Sequence, residues 1–269
     1  MRGGSPPDSA PARTVVAGHD RTTVLTYAML LALTGVAWAR VLWWALTDDM
    51  AGMDMVMTAG WLDGLAYVAA WGVMMAAMML PSALPMIGLY AVTQRSAAGA
   101  GARVMPVALF TLVYLGLWAA SGIPIYLASV ALSALDARPR AWVVAALLVV
   151  AGAFQLSPLK RGCLRRCRSP LGFFLGRWRG GWRGGLALGW AHAIYCLGCC
   201  WALMVVLVAA GAMGLAWVLL VAAVVAAEKL LPRGEWIAWA TGVVLVLLGA
   251  AVALVPDLAA SLRGGGHSM

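Results

Sequence analysis

Charged residues are scarce in this chain. They make up 11% of its 269 residues, whereas 64% are hydrophobic and the mean hydropathy is +0.90. Soluble domains are about half apolar and roughly 25% charged. Segments such as 143–150 and 243–252 are apolar on every helical face, which suits helices surrounded by lipid. The scarcity of charge therefore excludes an ordinary soluble domain and predicts an all-α, polytopic transmembrane helix bundle.

The sequence also lacks an insertion of domain size and a convincing internal repeat. The first absence predicts a single transmembrane domain, residues 23–256. It is flanked by an N-terminal tail, 1–22, whose composition is typical of disorder, and by a short C-terminal tail, 257–269. The second absence disfavours a transporter built from inverted repeats.

The length criterion for a membrane span, about 20 apolar residues, predicts about seven spans. They are residues 23–46, 62–92, 105–135, 141–157, 185–210, 215–231 and 236–255. Two of these spans contain helix-breaking residues. We expect Pro81 and Pro85 to break the second span, and Gly122 with Pro124 to break the third, so that both helices kink and free backbone carbonyls in their middle.

Most of the 19 lysines and arginines fall in segments that share one side of the membrane in this topology. The positive-inside rule therefore places the N-terminus and these segments in the cytoplasm, with the chain in the plasma membrane of a bacterium. The net charge of +9 then reflects orientation, and nucleic acid is not an expected partner. The basic loop after the fourth span favours membrane lipids as partners. Its predicted lipid-phosphate ligands are Lys160, Arg161, Arg165, Arg166 and Arg168.

Cysteine and histidine are rare, with five and three residues, yet all five cysteines lie between positions 163 and 200. The fifth span carries four of these residues at spacings of three and four, so that a helix presents them as one stripe. They are His192, Cys196, Cys199 and Cys200. Free cysteine also packs as a small apolar residue. A thiolate in hydrocarbon needs a cation, however, and the clustering favours a metal site or redox use.

Cys163 and Cys167 lie in the basic loop, four residues apart. A disulfide between them is disfavoured, because the cytoplasm is reducing and the Cβ atoms of helical residues i and i+4 are about 5–6 Å apart. The adjacent arginines favour the thiolate form. The pair is therefore predicted to act as a metal relay or as a reactive dithiol.

Methionine recurs at helical spacing in the second span, at Met74, Met75, Met78 and Met79. Packing is the alternative interpretation, because methionine fills gaps well. At about 1.5 Å per residue, however, this stripe and the cysteine stripe lie at similar depths near the bilayer centre and can face each other. Thioether, thiolate and imidazole ligands together favour Cu(I), with zinc or another soft metal as the alternative.

Two further features complete the predicted site. Glu228 is a candidate for orienting the His192 imidazole as a carboxylate behind the ligands, and snorkelling of Glu228 and Lys229 to the interface is the alternative. The loop after the first span is a candidate for capturing metal from outside, or an ordinary solvated loop. Its candidate ligands are Asp48, Asp49, Met50, Met53, Asp54, Met55 and Met57.

Four segments resemble, in their order and spacing, the family of predicted metal-binding integral membrane proteins of unassigned function. They are WGVMMAAMMLPSALPM, FQLSPLKRGCLRRCRSPLGFF, CLGCCWALM and EKLLPRG. The resemblance covers nearly all of the chain after the tail, and it implies metal binding without naming a reaction. A looser similarity links the chain to mercury transporters, which pair vicinal cysteines in a span with a cytoplasmic cysteine pair.

The predicted function is soft-metal handling in the membrane, with copper as the metal and transport or delivery as the task. A soluble metallochaperone or another partner protein would then exchange the metal. The alternative is a membrane-bound copper oxidase or oxygenase acting with a soluble partner. Three histidines are few for a copper site that activates oxygen, so an enzyme is not the favoured class. A third interpretation assigns the motifs to helix packing and lipid anchoring alone.

Overall fold

The computed structural model describes residues 21–47, 60–94, 99–177, 179–209 and 214–262. Within these ranges the chain is α-helical and contains no β-strand, which confirms the predicted all-α class. In chain order the helices are α1 (Arg21–Leu46), α2 (Trp61–Thr93), α3 (Ala100–Ala120), α4 (Gly122–Ser133), α5 (Ala137–Leu156), α6 (Pro158–Arg168), α7 (Pro170–Leu175), α8 (Gly181–Ala209), α9 (Leu215–Leu230), α10 (Gly234–Leu254) and α11 (Asp257–Leu262).

Six helical segments of the described chain are long and apolar enough to cross a membrane: α1, α2, the α3–α4 pair, α5, α8 and α10. The sixth predicted span, residues 215–231, corresponds to α9 and is not among these six, because α9 has 16 residues and rises only about 24 Å, less than the roughly 30 Å of a bilayer core. Helix α9 nevertheless connects the two ends of the bundle. At one end Trp217 donates a hydrogen bond to the Leu262 carbonyl, and at the other Arg168 donates one to the Leu231 carbonyl.

The two helix-breaking predictions have different outcomes. Pro81 and Pro85 lie inside one continuous helix, so the expected break in α2 is wrong; packed membrane helices tolerate proline where neighbouring groups satisfy the backbone. The predicted break in the third span does occur, between α3 and α4. The indole of Trp71 fills this break and donates to the Ser121 hydroxyl at 3.1 Å. A Cβ atom on Gly122 would lie 2.8 Å from that ring, so glycine permits the approach.

Helices α3 and α8 pack closely because two glycines of α8 face the α3 backbone. A Cβ atom on Gly185 would overlap the Pro106 carbonyl oxygen, and one on Gly189 would lie 2.7 Å from the Phe110 carbonyl oxygen. Small residues at this spacing let helix backbones approach each other in a membrane. The close contact continues along the helices and places Tyr114 of α3 against the cysteine stripe of α8.

The remaining helices surround this pair. Helix α2 packs against α1 and α3, α5 packs against α10, and α6 packs against α8. Helix α9 contacts both α2 and α8, so it links the methionine stripe to the cysteine stripe. Parts of the predicted tails, residues 1–20 and 263–269, lie outside the described residues, as does the acidic loop after α1 with its seven candidate metal ligands.

Candidate metal centre

Cysteine sulfur atoms gather where α6 packs against α8. Cys199 Sγ lies 3.2 Å from Cys200 Sγ and 3.7 Å from Cys167 Sγ. Cys199 also donates to the carbonyl of Cys196, one turn earlier in α8. The three cysteines of α8 are buried and Cys167 is half-buried. We call these four residues the thiol cluster. Neither they nor Cys163 form a disulfide.

The sequence around α6 explains how this helix reaches α8. Ser157 caps its first turn, because the Ser157 hydroxyl accepts a hydrogen bond from the Lys160 backbone N–H at 3.2 Å, and Pro158 occupies the first helical position. Lys160 and Leu164 form the buried face of α6. Cys163 packs against α8 at Gly198, where a Cβ atom would lie 3.5 Å from the Cys163 sulfur.

A buried ion pair joins α6, α8 and α9 beside the thiol cluster. Lys160 Nζ lies 2.6 Å from a carboxylate oxygen of Glu228 and donates to the Cys199 carbonyl at 2.5 Å. Both charged side chains are almost completely buried, at 0% and 1% exposure. The other Glu228 oxygen accepts a hydrogen bond from the Gln155 amide at 2.9 Å. This network fixes the backbone of Cys199 relative to the other helices.

Lys229, the next residue of α9, points to the other side of the cluster. Its Nζ lies 3.0 Å from Cys196 Sγ, 3.1 Å from the Ser82 hydroxyl and 3.7 Å from Met79 Sδ. Ser82 and Met79 belong to α2, whereas Cys196 belongs to α8. The ammonium group of Lys229 therefore connects the two stripes that the sequence predicted to face each other.

Tyr114 and His192 close the cluster on the α3 side. The Tyr114 hydroxyl lies 3.1 Å from Cys196 Sγ and donates to the Met79 carbonyl at 3.4 Å. His192 is 3% exposed, and its ring packs among the rings of Phe110, Tyr114 and Phe173. Neither imidazole nitrogen has a hydrogen-bond partner. A buried imidazole without partners has the capacity to accept a metal ion or a proton donor.

The predicted methionines are all buried in α2. Met79 contacts the surroundings of the thiol cluster through Lys229 and through its own carbonyl. Met74, Met75 and Met78 lie in the same hydrophobic core, which also contains Cys196, Cys199 and Cys200. The structure thus places the methionine and cysteine stripes in one hydrophobic core, and α9 contacts the helices of both stripes.

Two predicted roles need correction. Glu228 does not bind His192; it binds Lys160 and Gln155, and so it supports the backbone of Cys199. Lys160 is completely buried in this ion pair, so it is no surface ligand for lipid phosphate. Sequence spacing could not reveal either point, because both depend on how α6 and α9 pack against α8.

The arginines predicted to bind lipid phosphate keep more exposed positions on α6. Arg161 and Arg166 are exposed. Arg165 forms an exposed ion pair with Glu235 at 2.8 Å, and Arg168 donates to the backbone carbonyls of residues 231 and 232. Arg166 also lies over the ring of Tyr195.

The thiol cluster is not a preformed metal cage. Within the described ranges, no group of three or more histidine, cysteine, aspartate and glutamate side chains is arranged to hold a metal ion. The thiols instead contact one another, Lys229 and Tyr114. The types of donor nevertheless fit Cu(I), because thiolates, a thioether and an imidazole are soft or borderline ligands. Binding would require the thiols to exchange these contacts for the metal.

The contact of Tyr114 with the cluster was not predicted from the sequence, Lys229 was considered only for its position near the membrane interface, and Lys160 was assigned to lipid phosphate. A signal for both lysines was available, because Lys160 and Lys229 are the only lysines in the chain and every other basic side chain, histidine apart, is arginine. Both lysines contact the thiol cluster. Lysine carries a compact charge on a flexible stem, which suits a narrow buried site better than the planar arginine side chain.

Comparison with known proteins identifies the class to which this site belongs. Residues 68–252 match the model of a family described as PpoB2, copper chaperone. The match covers most of the chain and includes the whole thiol cluster, so the protein belongs to the PpoB2 copper chaperone family. No curated protein and no solved structure matches the chain.

Proposed function

We propose that this protein binds Cu(I) inside the membrane at the thiol cluster and delivers it to a soluble partner. Membership of a copper chaperone family supports the metal and the task. The observation that carries the proposal is the buried contact of Cys199 Sγ with the sulfur atoms of Cys200 and Cys167, at 3.2 and 3.7 Å. Apolar surroundings exclude water, so that soft sulfur ligands compete well for a monovalent copper ion.

The ligands divide into two groups in this proposal. Cys199 and Cys200 bind the ion most directly, because they are adjacent, buried and already in contact. Cys196, Met79 and His192 lie around them and offer further soft or borderline donors. The other three methionines of the stripe, Met74, Met75 and Met78, lie in the same hydrophobic core and stay candidate ligands.

Helix α6 provides the way out. Cys167 contacts the buried Cys199 sulfur but is itself half-buried, and Cys163 is half-buried one turn away. A partner thiol can therefore attack the copper ion at Cys167 without opening the bundle. Exchange between thiolates keeps the copper ion bound to sulfur throughout the transfer, so that no free cuprous ion is released into water.

Elemental analysis of protein purified in detergent after loading with Cu(I) tests the proposal. The wild-type chain should hold about one copper ion, because the part of the chain that the structure describes contains one cluster of soft ligands. The double variant Cys199→Ser, Cys200→Ser should lose it. Cys163→Ser is the matched control, since Cys163 packs on Gly198 outside the sulfur contacts and should leave the copper content unchanged. A folded wild-type protein without copper, or a double variant that keeps it, would refute copper binding at this cluster.

Delivery has its own test. Cys167→Ser should keep the copper content, since Cys199 and Cys200 remain, but it should slow the transfer of copper to a soluble thiol chelator. Stopped-flow absorbance of the chelator measures the rate. An unchanged rate would show that copper leaves by another route.

We also propose that the N-terminus and α6 face the cytoplasm of a bacterial plasma membrane, with anionic lipid bound at the arginines of α6. A cavity of about 410 Å³ supports this, because Arg165, Arg166 and Arg177 line it together with Phe173. Vesicles containing phosphatidylglycerol should raise the unfolding temperature more than phosphatidylcholine vesicles do. Arg166→Gln should remove the difference, and an equal effect of both lipids would contradict the proposal.

A further inference from the structure

The two buried lysines of the thiol cluster differ in how their charges are balanced. Lys160 is paired with the Glu228 carboxylate at 2.6 Å, so these two charges cancel. Lys229 has no carboxylate partner in the part of the chain that the structure describes; its Nζ contacts Cys196 Sγ, the Ser82 hydroxyl and Met79 Sδ. Lys229 is only 8% exposed. It is thus a buried positive charge whose anionic partner has to come from the cysteines.

An isolated charge in an apolar interior is very costly unless it is paired. The cysteines of the thiol cluster, of which Cys196 lies 3.0 Å from Lys229 Nζ, can supply the opposite charge once they bind a metal ion as thiolates. We propose that Lys229 is the fixed counter-cation of the metal–thiolate complex, and that it thereby makes the thiol cluster selective for a monovalent soft ion. This inference rests on the proposed function.

The net charge of the metal-bound thiol cluster determines whether it prefers a monovalent or a divalent ion. With Cys196 as a neutral thiol, the thiolates of Cys199 and Cys200 and one Cu(I) ion form a complex with one net negative charge, which Lys229 neutralises. Two thiolates and a divalent ion form a neutral complex, which leaves the Lys229 ammonium buried without a counter-charge. The interior therefore favours the monovalent ion by the electrostatic energy of one buried pair.

The contacts of Lys229 keep its charge on one side of the cluster. Ser82 accepts a hydrogen bond from the Lys229 ammonium and itself donates to the Met79 carbonyl, so that α2 holds the lysine in place. Cys199 faces the α6 side, where its sulfur lies 3.7 Å from Cys167 Sγ, and Cys200 Sγ lies 3.2 Å from Cys199 Sγ. The ammonium can therefore stay beside Cys196 while copper binds to the other thiols. Lys229 acts as a positioning residue for charge and need not be a ligand.

The Lys229→Met variant tests this in the full-length protein in detergent. Methionine has a similar length and no charge. Competition with chromophoric chelators gives the affinity for Cu(I) and, separately, for Co(II), whose thiolate absorption also reports sulfur coordination. The Cu(I) affinity should fall by at least about 30-fold, the loss expected for removing one partner of a buried charge pair. The Co(II) affinity should stay unchanged or rise.

Arg161→Met is the matched control, because it removes one positive charge from an exposed position of α6. It should leave both affinities unchanged. Lys229→Gln serves as a second uncharged variant if the methionine variant does not fold, since glutamine can still donate a hydrogen bond to Ser82. It should show the same loss of Cu(I) selectivity.

If the wild-type protein binds Cu(I), three outcomes would overturn this inference and leave the proposed function standing. The first is an unchanged Cu(I) affinity in both uncharged variants. The second is a higher Cu(I) affinity, which would mean that the ammonium competes with copper for Cys196. The third is an equal loss of Cu(I) and Co(II) affinity, which would mean that Lys229 supports the structure of the site without discriminating between the two ions. Wild-type protein that binds no Cu(I) would overturn the proposed function as well, so the two failures are distinguishable.

Discussion

The Lys160–Glu228 ion pair gives the sharpest prediction about stability. Lys160→Met removes one partner of a pair whose side chains are 0% and 1% exposed, and it leaves the Glu228 carboxylate buried with only the Gln155 amide to bind it. Losing one partner of a buried pair typically costs about 3–5 kcal/mol. The variant also loses the hydrogen bond from the ammonium to the Cys199 carbonyl.

The exposed Arg165–Glu235 pair provides a matched comparison. Its N–O distance of 2.8 Å is close to the 2.6 Å of the buried pair, but its side chains are 70% and 36% exposed. Solvent screens such a pair, so that its contribution is about 0–1 kcal/mol. Arg165→Met should therefore have little effect on the free energy of unfolding, whereas Lys160→Met should lower it by about 3–5 kcal/mol.

Chemical unfolding in detergent micelles, followed by circular dichroism, measures both variants. The double variant Lys160→Met, Glu228→Leu removes both charges and should recover most of the loss, because a buried pair can often be replaced by apolar residues at little cost. Equal, small effects of Lys160→Met and Arg165→Met would refute the buried ion pair. A double variant as unstable as Lys160→Met would show that packing around Lys160, and not the unpaired carboxylate, causes the loss.

Two further predictions concern helix packing and the unpaired imidazole. Gly185→Ala should lower the free energy of unfolding by about 1–3 kcal/mol, because its methyl group would overlap the Pro106 carbonyl. The control Gly116→Ala has open space around it and should raise the free energy of unfolding by about 0.5–1 kcal/mol. Equal effects of the two variants would contradict the close α3–α8 contact. His192→Phe should raise the free energy of unfolding by about 1–3 kcal/mol, because both imidazole nitrogens are buried without partners. The same variant should bind Cu(I) more weakly in a chelator competition. A variant less stable than the wild-type protein would show that His192 has a structural partner.

Sequence periodicity predicted the parts of the site that lie on a single helix. The stripe of His192 and the cysteines on α8 follows from spacings of three and four, and their burial follows from the apolar surroundings. The all-α class follows from composition, and six of the seven spans predicted from length correspond to helices long and apolar enough to cross a membrane. The prolines of α2 misled the prediction, because the tolerance of a membrane helix for proline depends on its neighbours.

Contacts between helices were beyond the sequence. The position of Cys167 beside Cys199 depends on α6 folding back against α8, and no periodicity encodes that angle. Lys160 was predicted to bind lipid phosphate from the basic loop, and for Lys229 the alternative was extension to the interface, because long basic side chains usually extend to water. Lys160 is buried against Glu228, and Lys229 is buried against Cys196. In both cases the partner belongs to a different helix that is distant in the sequence.

The buried charges explain why the thiol cluster is divided between two helices. Lys160 lies two turns before Cys167 on α6, and it binds both the Glu228 carboxylate of α9 and the Cys199 carbonyl of α8. Helix α6 cannot move away from α8 without separating this pair, so Cys167 is held 3.7 Å from Cys199 while its own side chain stays half-buried. A protein that passes on a tightly bound ion needs one ligand that is close to the buried donors and still within reach of a partner. The ion pair at Lys160 supplies that geometry by fixing α6, and the charge of Lys229 acts on the opposite side of the same cluster.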